Sequence, residues 1–191
     1  MELLGIAIIA YLLGSFPTGY LLARSRGIDL FRYGSGNIGA TNVWRALGPV
    51  SGLLALAGDV GKGMVAVYLG SRAGHWPAVL AGACVLAGHS WSLFLRFRGG
   101  KMIATALGVF LMLTPKAALG AFVVWAAVFG LSRYVSLASI TAAAGLPVLI
   151  GVFGYPGSYI LFGLLAAGVA IYRHRSNIRR LLDGTEHRFG R

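Results

Sequence analysis

The sequence predicts an all-α, polytopic membrane protein with seven transmembrane helices, an external N-terminus and a cytoplasmic C-terminus. Hydrophobic residues make up 57% of the 191 residues and charged residues only 12%, which is about half the charged fraction of a typical soluble domain. Apolar runs of about 20 residues recur along the chain, the length that a helix needs to cross the hydrocarbon core of a bilayer. The 17 Lys and Arg outnumber the five Asp and Glu and fall mostly in short loops, as in the cytoplasmic loops of membrane proteins.

The apolar runs define the elements in chain order: residues 3–23, about 50–70, about 77–95, 102–131, about 135–152 and about 159–172. Pro115 interrupts the fourth run. Because proline lacks a backbone donor and clashes with the preceding turn, we predict a break there, after a short helix of about 13 residues. The break makes the number of passes between Lys101 and the C-terminal tail even. The loops 24–48 and 96–101 and the tail then all face the cytoplasm, and residues 1–191 form one membrane domain.

The sequence also argues against nucleic-acid binding, an intrachain disulfide and a cleaved signal peptide. The basic residues lie between membrane-length runs, which indicates a role in topology and in contact with lipid headgroups rather than nucleic-acid binding. Cys84 is the single cysteine, so no intrachain disulfide can form. No basic residue precedes the first apolar run, so we expect no cleaved signal peptide.

The loop of residues 34–45 is polar although it joins two apolar runs. It reads Gly-Ser-Gly-Asn-Ile-Gly-Ala-Thr-Asn-Val-Trp-Arg. Closely spaced glycines allow backbone N–H groups to surround an anion, and Arg45 supplies a charged fork that fits phosphate oxygens. Gly34, Gly36 and Gly39 also match G-x-G-x-x-G, but that pattern indicates a dinucleotide fold only after a strand, and here an apolar helix precedes it. We therefore predict that this loop binds a phosphorylated substrate at the membrane surface.

Two further polar clusters lie on the same predicted side of the membrane. Residues 97–101 read Phe-Arg-Gly-Gly-Lys directly before a helix, so that Lys101 and backbone N–H groups can meet an anion there. The segment 174–186 carries His174 and Asn177 on one predicted helical face, although it could instead be an amphipathic tail that lies on the membrane. Three clusters of donors on one side favour a shared site for phosphate groups.

Polar residues inside or beside the apolar runs each have two interpretations. Asp59 and Lys62 share a helix face and either neutralise each other near the cytoplasmic end of the second run, or place one of the two in the site. His89 is either a hydrogen-bonded structural residue or a residue of the site that acts as general base or orients the substrate. Ser139 follows the start of a later helix and is a weaker candidate. The sequence lacks a cluster of His, Cys and Asp with metal-ligand spacing, so we expect no metal and no cofactor.

Four separated motifs together resemble one family. They read Ser35-Gly36-Asn37-x-Gly39-Ala40-Thr41-Asn42-x-x-Arg45, Asp59-x-x-Lys62-Gly63, Gly88-His89 with Phe97-Arg98-Gly99-Gly100-Lys101-x-x-Ala104-Thr105, and His174-Arg175-x-Asn177-Ile178-x-Arg180-Leu181-Leu182-x-Gly184-x-Glu186. The chain resembles the bacterial acyl-phosphate:glycerol-3-phosphate acyltransferases, the PlsY family, over nearly its whole length. The family usually has Gly-Val where this chain has Met102-Ile103. Since the glycine is lost, we predict an ordinary, negative backbone φ at Met102.

The resemblance implies seven helices in the bacterial inner membrane and an active site that faces the cytoplasm. It implies transfer of an acyl chain from acyl phosphate to the 1-hydroxyl of glycerol 3-phosphate, which gives lysophosphatidic acid and phosphate. Acyl-CoA and acyl carrier protein are not direct donors in this family. The partners are then the two substrates and membrane lipid, without nucleic acid, and a monomer is compatible with this interpretation.

The same resemblance suggests roles for the site residues. The catalytic residues are Ser35, Arg45, Lys101, His174 and Asn177, and the substrate-binding residues are Gly36, Asn37, Gly39, Thr41, Asn42, His89, Gly99, Gly100 and Ser139. His174 and Asn177 would bind glycerol 3-phosphate, but the assignment of the two phosphates to the clusters stays open. The hydroxyl proton could pass to His174, to His89 or to a substrate phosphate.

Two other functions compete with acyl transfer. A transporter of a small phosphorylated solute would also need basic groups and glycines at helix ends, but it should have sites near the membrane midplane and two related halves. The polar motifs here cluster at one side, and no internal repeat is visible in the sequence. The third interpretation is a structural protein that binds lipid headgroups.

Overall fold

The computed structural model describes residues 2–190, which form ten α-helices and one 3-10 turn at residues 93–95, without a β-strand. The helices are α1 (Glu2–Ser15), α2 (Thr18–Arg24), α3 (Ala40–Leu47), α4 (Pro49–Ser71), α5 (His75–Ser90), α6 (Ile103–Leu113), α7 (Pro115–Ser132), α8 (Val135–Val152), α9 (Gly157–Arg173) and α10 (Arg175–Leu182). The all-α prediction is confirmed for this part of the chain.

Four helical segments are long and apolar enough to cross a bilayer, namely residues 2–24 through α1 and α2, and the helices α4, α7 and α8. Two shorter apolar helices, α6 and α9, accompany them. Large apolar side chains on these segments point away from the protein, such as Leu4 at 66% and Val123 at 65% exposure. A soluble monomer rarely exposes so much contiguous apolar surface, whereas lipid tails cover it without cost.

Three prolines affect these helices in two different ways. Pro115 is the first residue of α7, and Thr114 separates it from α6. The predicted break is therefore confirmed, although α6 has 11 residues rather than about 13. Pro17 also ends a helix, because α1 stops at Ser15 and α2 begins at Thr18, a break that we did not predict. By contrast, α8 continues through Pro147.

The chain forms two compact units, and the boundary lies between Leu113 and Thr114. In the first unit, α4 is central and packs against α1, α2, α3, α5 and α6. Close approach of α4 and α6 depends on glycine, since a methyl group at Gly63 would meet the carbonyl oxygen of Thr105, and one at Gly108 would meet that of Val60. In the second unit, α8 packs between α7 and α9, and α10 contacts both α8 and α9.

The Gly63→Ala variant should be destabilised because its new methyl group has no space against the α6 backbone. Overpacking of this kind costs roughly 1–3 kcal/mol, so we expect a clear drop in the thermal unfolding temperature in detergent. Gly61→Ala is the matched control, because it lies on the same helix and nothing is within 4 Å of the added group. Equal unfolding temperatures for the two variants would contradict the close packing of α4 on α6.

Candidate active site

The buried side chain of Asn42 organises the first polar loop. It is 2% exposed, and the two hydrogens of its Nδ2 are shared among three carbonyl oxygens, at 2.8 Å to Asn37, 2.9 Å to Tyr33 and 3.3 Å to Leu30. Its Oδ1 accepts from the backbone N–H of Ser35 at 3.1 Å. Both ends of the carboxamide are therefore used within the loop, and Ser35 is held by them.

Glycine is required at two positions of this loop by the backbone itself. Gly34 and Gly36 have φ values of 55° and 66°, a region that residues with a Cβ rarely adopt. A methyl group on Gly34 would also collide with the Oδ1 of Asn42. These glycines bend the chain so that it can wrap around the Asn42 side chain.

The loop leads directly into α3, which carries Arg45. The Oδ1 of Asn37 accepts from the N–H of Gly39 at 2.9 Å, and Gly39 is the residue before the helix. Thr41 lies in the first turn of α3 and Arg45 in its last turn, both half-buried. The hydroxyl of Tyr33 donates to the carbonyl oxygen of Arg45 at 3.3 Å, which fixes the end of the helix to the loop.

The second polar cluster lies at the same end of the first unit as the first cluster. The guanidinium of Arg98 stands 5.7 Å from the centre of the Phe31 ring. Leu95 packs against the buried apolar group that contains Leu30, Ile38 and Val43. The structure therefore brings the loop before α3 and the loop before α6 together, which a site shared by these two clusters requires.

The loop before α6 has a strained backbone. Of the four non-glycine residues with positive φ among residues 2–190, three lie in this loop, namely Arg96 at 54°, Phe97 at 60° and Met102 at 57°. Such conformations cost about 1–3 kcal/mol each and concentrate at functional sites. The shape of this loop is therefore held by its surroundings rather than by local preference.

The prediction of an ordinary φ at Met102 is wrong, since the residue keeps a left-handed backbone. Its side chain is 2% exposed, and the Ser90 hydroxyl lies 3.4 Å from its sulfur. Burial of a methionine side chain contributes roughly 1.5–3 kcal/mol, enough to offset the strain of the backbone. The left-handed turn at Met102 is thus held through an anchor on α5.

Gly99 and Gly100 let the loop approach the end of α5. A methyl group on Gly99 would meet the carbonyl oxygens of His89 and Ser90, and one on Gly100 would meet the Nε2 of His89. The N–H of Gly100 donates to the carbonyl oxygen of His89 at 3.0 Å. That N–H is therefore engaged within the protein, and the half-buried Lys101 follows it directly in the chain.

The expected pairing of Asp59 and Lys62 is confirmed, but it lies near the middle of α4 rather than near its end. Lys62 Nζ is 2.7 Å from Asp59 Oδ1 and donates to the carbonyl oxygen of Phe16 at 3.0 Å. The Nδ1 of His89 is 3.5 Å from the same carboxylate oxygen. All three ionisable side chains are buried, and the lysine also satisfies a carbonyl at the break before Pro17.

In the second unit, His174 and Asn177 lie at the junction of α9 and α10 and are both buried. The Nδ1 of His174 is 2.7 Å from the carbonyl oxygen of Ala170. Because a carbonyl only accepts, this nitrogen must carry the proton, and Nε2 is the acceptor atom of the neutral ring. The imidazole therefore has the tautomer that a general base at Nε2 needs.

Glu186 organises this region, although sequence reasoning gave it no role. Its Oε1 accepts from Asn177 Nδ2 at 2.7 Å and from Ser136 Oγ at 2.8 Å, and its Oε2 accepts from Arg180 Nε at 2.7 Å. Burial by itself raises the pKa of Glu186, but these hydrogen bonds and the charge of Arg180 outweigh it, and the pKa lies below its usual value. The signal in the sequence was an acidic residue amid arginines in the fourth motif.

Ser139 has a different environment from Ser136. Its hydroxyl donates to the carbonyl oxygen of Val135 at 2.8 Å and accepts from Trp125 Nε1 at 3.2 Å. The hydroxyl thus links α7 and α8 within the second unit. Within residues 2–190, no three His, Cys, Asp or Glu side chains lie close enough to hold a metal ion.

The stability of the second unit should fall at acidic pH because of Glu186. A carboxylate whose folded-state pKa is depressed contributes stability that is present above its unfolded pKa, about 4.5, and is lost as the pH falls through the folded value. We expect the unfolding temperature to drop below about pH 4.5, and Glu186→Gln to be less stable at neutral pH with a flatter acid limb. Asp183→Asn is the control, since Asp183 is exposed and lies 3.9 Å from Arg179. An unchanged acid limb in Glu186→Gln would contradict this account.

Comparison with known proteins identifies the family. The family model described as glycerol-3-phosphate acyltransferase matches residues 4–184. The chain belongs to this glycerol-3-phosphate acyltransferase family. It is 57% identical to the glycerol-3-phosphate acyltransferase of Desulforudis audaxviator over 95% of the chain and 92% of that protein. It is 48% identical to the enzyme of the same name from Carboxydothermus hydrogenoformans, over 96% of the chain and 95% of that protein.

A solved structure of a glycerol-3-phosphate acyltransferase has the same fold. The crystal structure of PlsY, described as an integral membrane glycerol 3-phosphate acyltransferase in its glycerol 3-phosphate form, matches with a TM-score of 0.96 and 43% identity, over 100% of this chain and 96% of that one. Its lysophosphatidic acid form matches with a TM-score of 0.93. The family expected from the four motifs is therefore confirmed, and the chain is an integral membrane protein.

Proposed function

We propose that the chain transfers a fatty acyl group from an acyl phosphate to the 1-hydroxyl of glycerol 3-phosphate, which gives lysophosphatidic acid and inorganic phosphate. The observation that carries the proposal is the continuous family match over residues 4–184. The glycerol 3-phosphate and lysophosphatidic acid forms of the similar crystal structures support the acceptor and the product. The four-motif resemblance supports acyl phosphate as the donor.

The proposed reaction needs alignment more than activation, because an acyl phosphate is a mixed anhydride with a good leaving group. The hydroxyl oxygen attacks the acyl carbon, the bond from that carbon to the phosphate oxygen breaks, and the phosphate leaves with the electron pair. Lys101 and the start of α6 bind one phosphate, while Arg45 and Ser35 line the adjoining wall of the site. Alignment of two reactants can contribute roughly 7–11 kcal/mol, and the same cations stabilise the oxyanion on the carbonyl.

The proton of the attacking hydroxyl needs an acceptor. In the proposal, His174 and Asn177 bind glycerol 3-phosphate, and the proton passes to Nε2 of His174 or to a substrate phosphate oxygen. The hydrogen bond between His174 Nδ1 and Ala170 supports the first route, because it leaves the lone pair on Nε2. The hydrogen bond from Asn177 to Glu186 fixes the orientation of its carboxamide beside His174.

We also propose the membrane arrangement that the sequence predicts. The seven spans are the α1–α2 segment, α4, α5, α6, α7, α8 and α9, in the bacterial inner membrane, with the C-terminal tail and the basic loops in the cytoplasm. The positive charge of the loops 24–48 and 96–101 supports this orientation. Glycerol 3-phosphate is charged and water-soluble, so a site on the cytoplasmic side has direct access to it. The protein acts as a monomer in this proposal.

One assay tests the proposed function. Purified protein in detergent is given glycerol 3-phosphate with an acyl phosphate, and lysophosphatidic acid and released phosphate are measured together. We expect the two products in equal amounts, and no product when acyl-CoA replaces the acyl phosphate. Product from acyl-CoA at a similar rate would refute the donor, and no product from either donor would refute acyl transfer.

A further inference from the structure

The carboxylate of Asp59 is the meeting point of three elements in the first unit. Its Oδ1 lies 2.7 Å from Lys62 Nζ and 3.5 Å from His89 Nδ1. Lys62 Nζ also donates a hydrogen bond to the carbonyl oxygen of Phe16. His89 lies on α5, one residue from the end of that helix. Asp59 is 3% exposed, so water does not replace these contacts.

His89 in turn supports the loop before α6. Its carbonyl oxygen accepts from the N–H of Gly100 at 3.0 Å, and its ring nitrogen Nε2 faces Gly100 so closely that no side chain fits there. The opposite ring nitrogen faces Asp59. The imidazole therefore fills the space between the α4 carboxylate and the glycine that precedes Lys101.

We propose that Asp59 is a positioning residue for the phosphate-binding loop and acts through His89. The carboxylate lies against Nδ1 of the imidazole and orients the ring, and the ring packs against Gly100. Gly100 in turn positions the backbone from which Lys101 projects. Three residues of this loop have left-handed backbones, so the loop needs such external support to keep its shape. The inference rests on the proposed function, because it assigns the loop to a substrate phosphate.

An ordinary structural ion pair and a positioning residue make different predictions. Loss of a structural pair lowers stability and reduces the amount of active protein, without a change in KM. Loss of positioning leaves the fold intact but raises KM for the one substrate whose phosphate lies at Lys101, since binding must then order the loop. Coupling between contacting residues of this kind corresponds to roughly a tenfold rise in KM.

Two double variants of the full chain separate these cases. Asp59→Asn with Lys62→Met keeps an oxygen that faces His89, and Asp59→Leu with Lys62→Met removes it. Both variants are neutral at this position, have side chains of similar size and lose the same contact to Phe16, so neither leaves an unpaired buried charge. We expect the leucine variant to show about a tenfold higher KM for one substrate, and the asparagine variant to stay within about threefold of the wild type.

Hydrogen exchange gives a readout that does not depend on turnover. The amide of Gly100 is bonded to His89, so the peptide that contains it should exchange faster in the leucine variant than in the asparagine variant. If the wild type fails to transfer acyl groups, this comparison still tests the positioning of the loop. Equal exchange and equal KM values in the two variants would overturn the inference.

His89→Leu provides an independent variant if the doubles do not fold. It leaves the Asp59–Lys62 pair intact and removes the ring atoms that face Gly100, so we expect faster exchange at Gly100 and a similar rise in KM. Combined with Asp59→Leu and Lys62→Met, it should add no further rise, because both changes break the same connection. Unchanged exchange in His89→Leu, or additive effects on KM, would contradict the proposed route through His89.

Discussion

Replacing Lys101 with alanine should lower kcat/KM by about 10²–10³-fold while the protein still inserts and folds. Loss of one donor that stabilises developing charge typically costs this much. Lys101 is half-buried, whereas Arg96 and Arg98 of the same loop are exposed. The change removes no large buried apolar group, so the unfolding temperature should stay near that of the wild type. The measurement is steady-state turnover of acyl phosphate with glycerol 3-phosphate in detergent.

Two companion variants make the Lys101 result specific. Lys116→Ala removes an exposed lysine at the start of α7 and controls for the loss of one positive charge; its kcat/KM should match the wild type. Lys101→Arg keeps the charge but changes its reach and geometry, so its activity should lie between those of the alanine variant and the wild type. If Lys101→Ala turned over as fast as Lys116→Ala, the phosphate-binding role of this loop would be wrong.

The fold could be predicted from the sequence where one physical signal dominates. Apolar runs of membrane length correspond to helices with bounds within a few residues, and Val135–Val152 matches its predicted range. Prolines show where the signal is insufficient. Pro17 and Pro115 lie at helix breaks, while α8 continues through Pro147. A membrane protein can accommodate such a proline where neighbouring groups satisfy the carbonyl that it leaves free. That outcome depends on neighbours that the local sequence does not specify.

Sequence reasoning could propose residue types for the candidate site, but it could not identify the hydrogen-bond partners that hold those residues in place. The glycines, Arg45 and Lys101 were predicted to bind phosphate because phosphate binding requires such residue types, and their roles stay a prediction. The partners of Asn42 and Glu186 could not be found from spacing, since each side chain joins segments whose approach depends on the tertiary fold. Met102 shows the same limit in the backbone: its left-handed φ depends on a pocket on α5, and no local preference of methionine indicates it.

The two loops of the first unit hold their shape by different means, and this affects how each should respond to substitution. The loop before α6 has a strained backbone that buried neighbours support. The loop before α3 has glycines at its positive-φ positions and therefore little strain, but it depends on one buried carboxamide. The loop before α6 should lose its shape gradually as its neighbours are changed. The loop before α3 should lose its shape when the single side chain of Asn42 is altered.

Asn42→Asp should therefore lower stability and activity strongly, although the two side chains have nearly the same size and shape. The aspartate places an oxygen where Nδ2 now donates to Leu30, Tyr33 and Asn37. Carbonyl oxygens then face a buried carboxylate, and each buried group left unsatisfied costs about 1–3 kcal/mol. We expect a much lower unfolding temperature and a loss of activity of about 10²-fold or more, since Ser35 loses its fixed position.

Asn37→Asp is the matched control for stability, because the same chemical change falls on a side chain with the opposite role. Among residues 2–190, the side chain of Asn37 makes one hydrogen bond, in which its Oδ1 accepts from the Gly39 N–H at 2.9 Å. Aspartate keeps that acceptor at a helix start, where a negative charge is favourable. Its unfolding temperature should equal or exceed that of the wild type. Should both variants unfold at the same temperature, the carboxamide of Asn42 would not be what holds the loop together, and the position of Ser35 would need another cause.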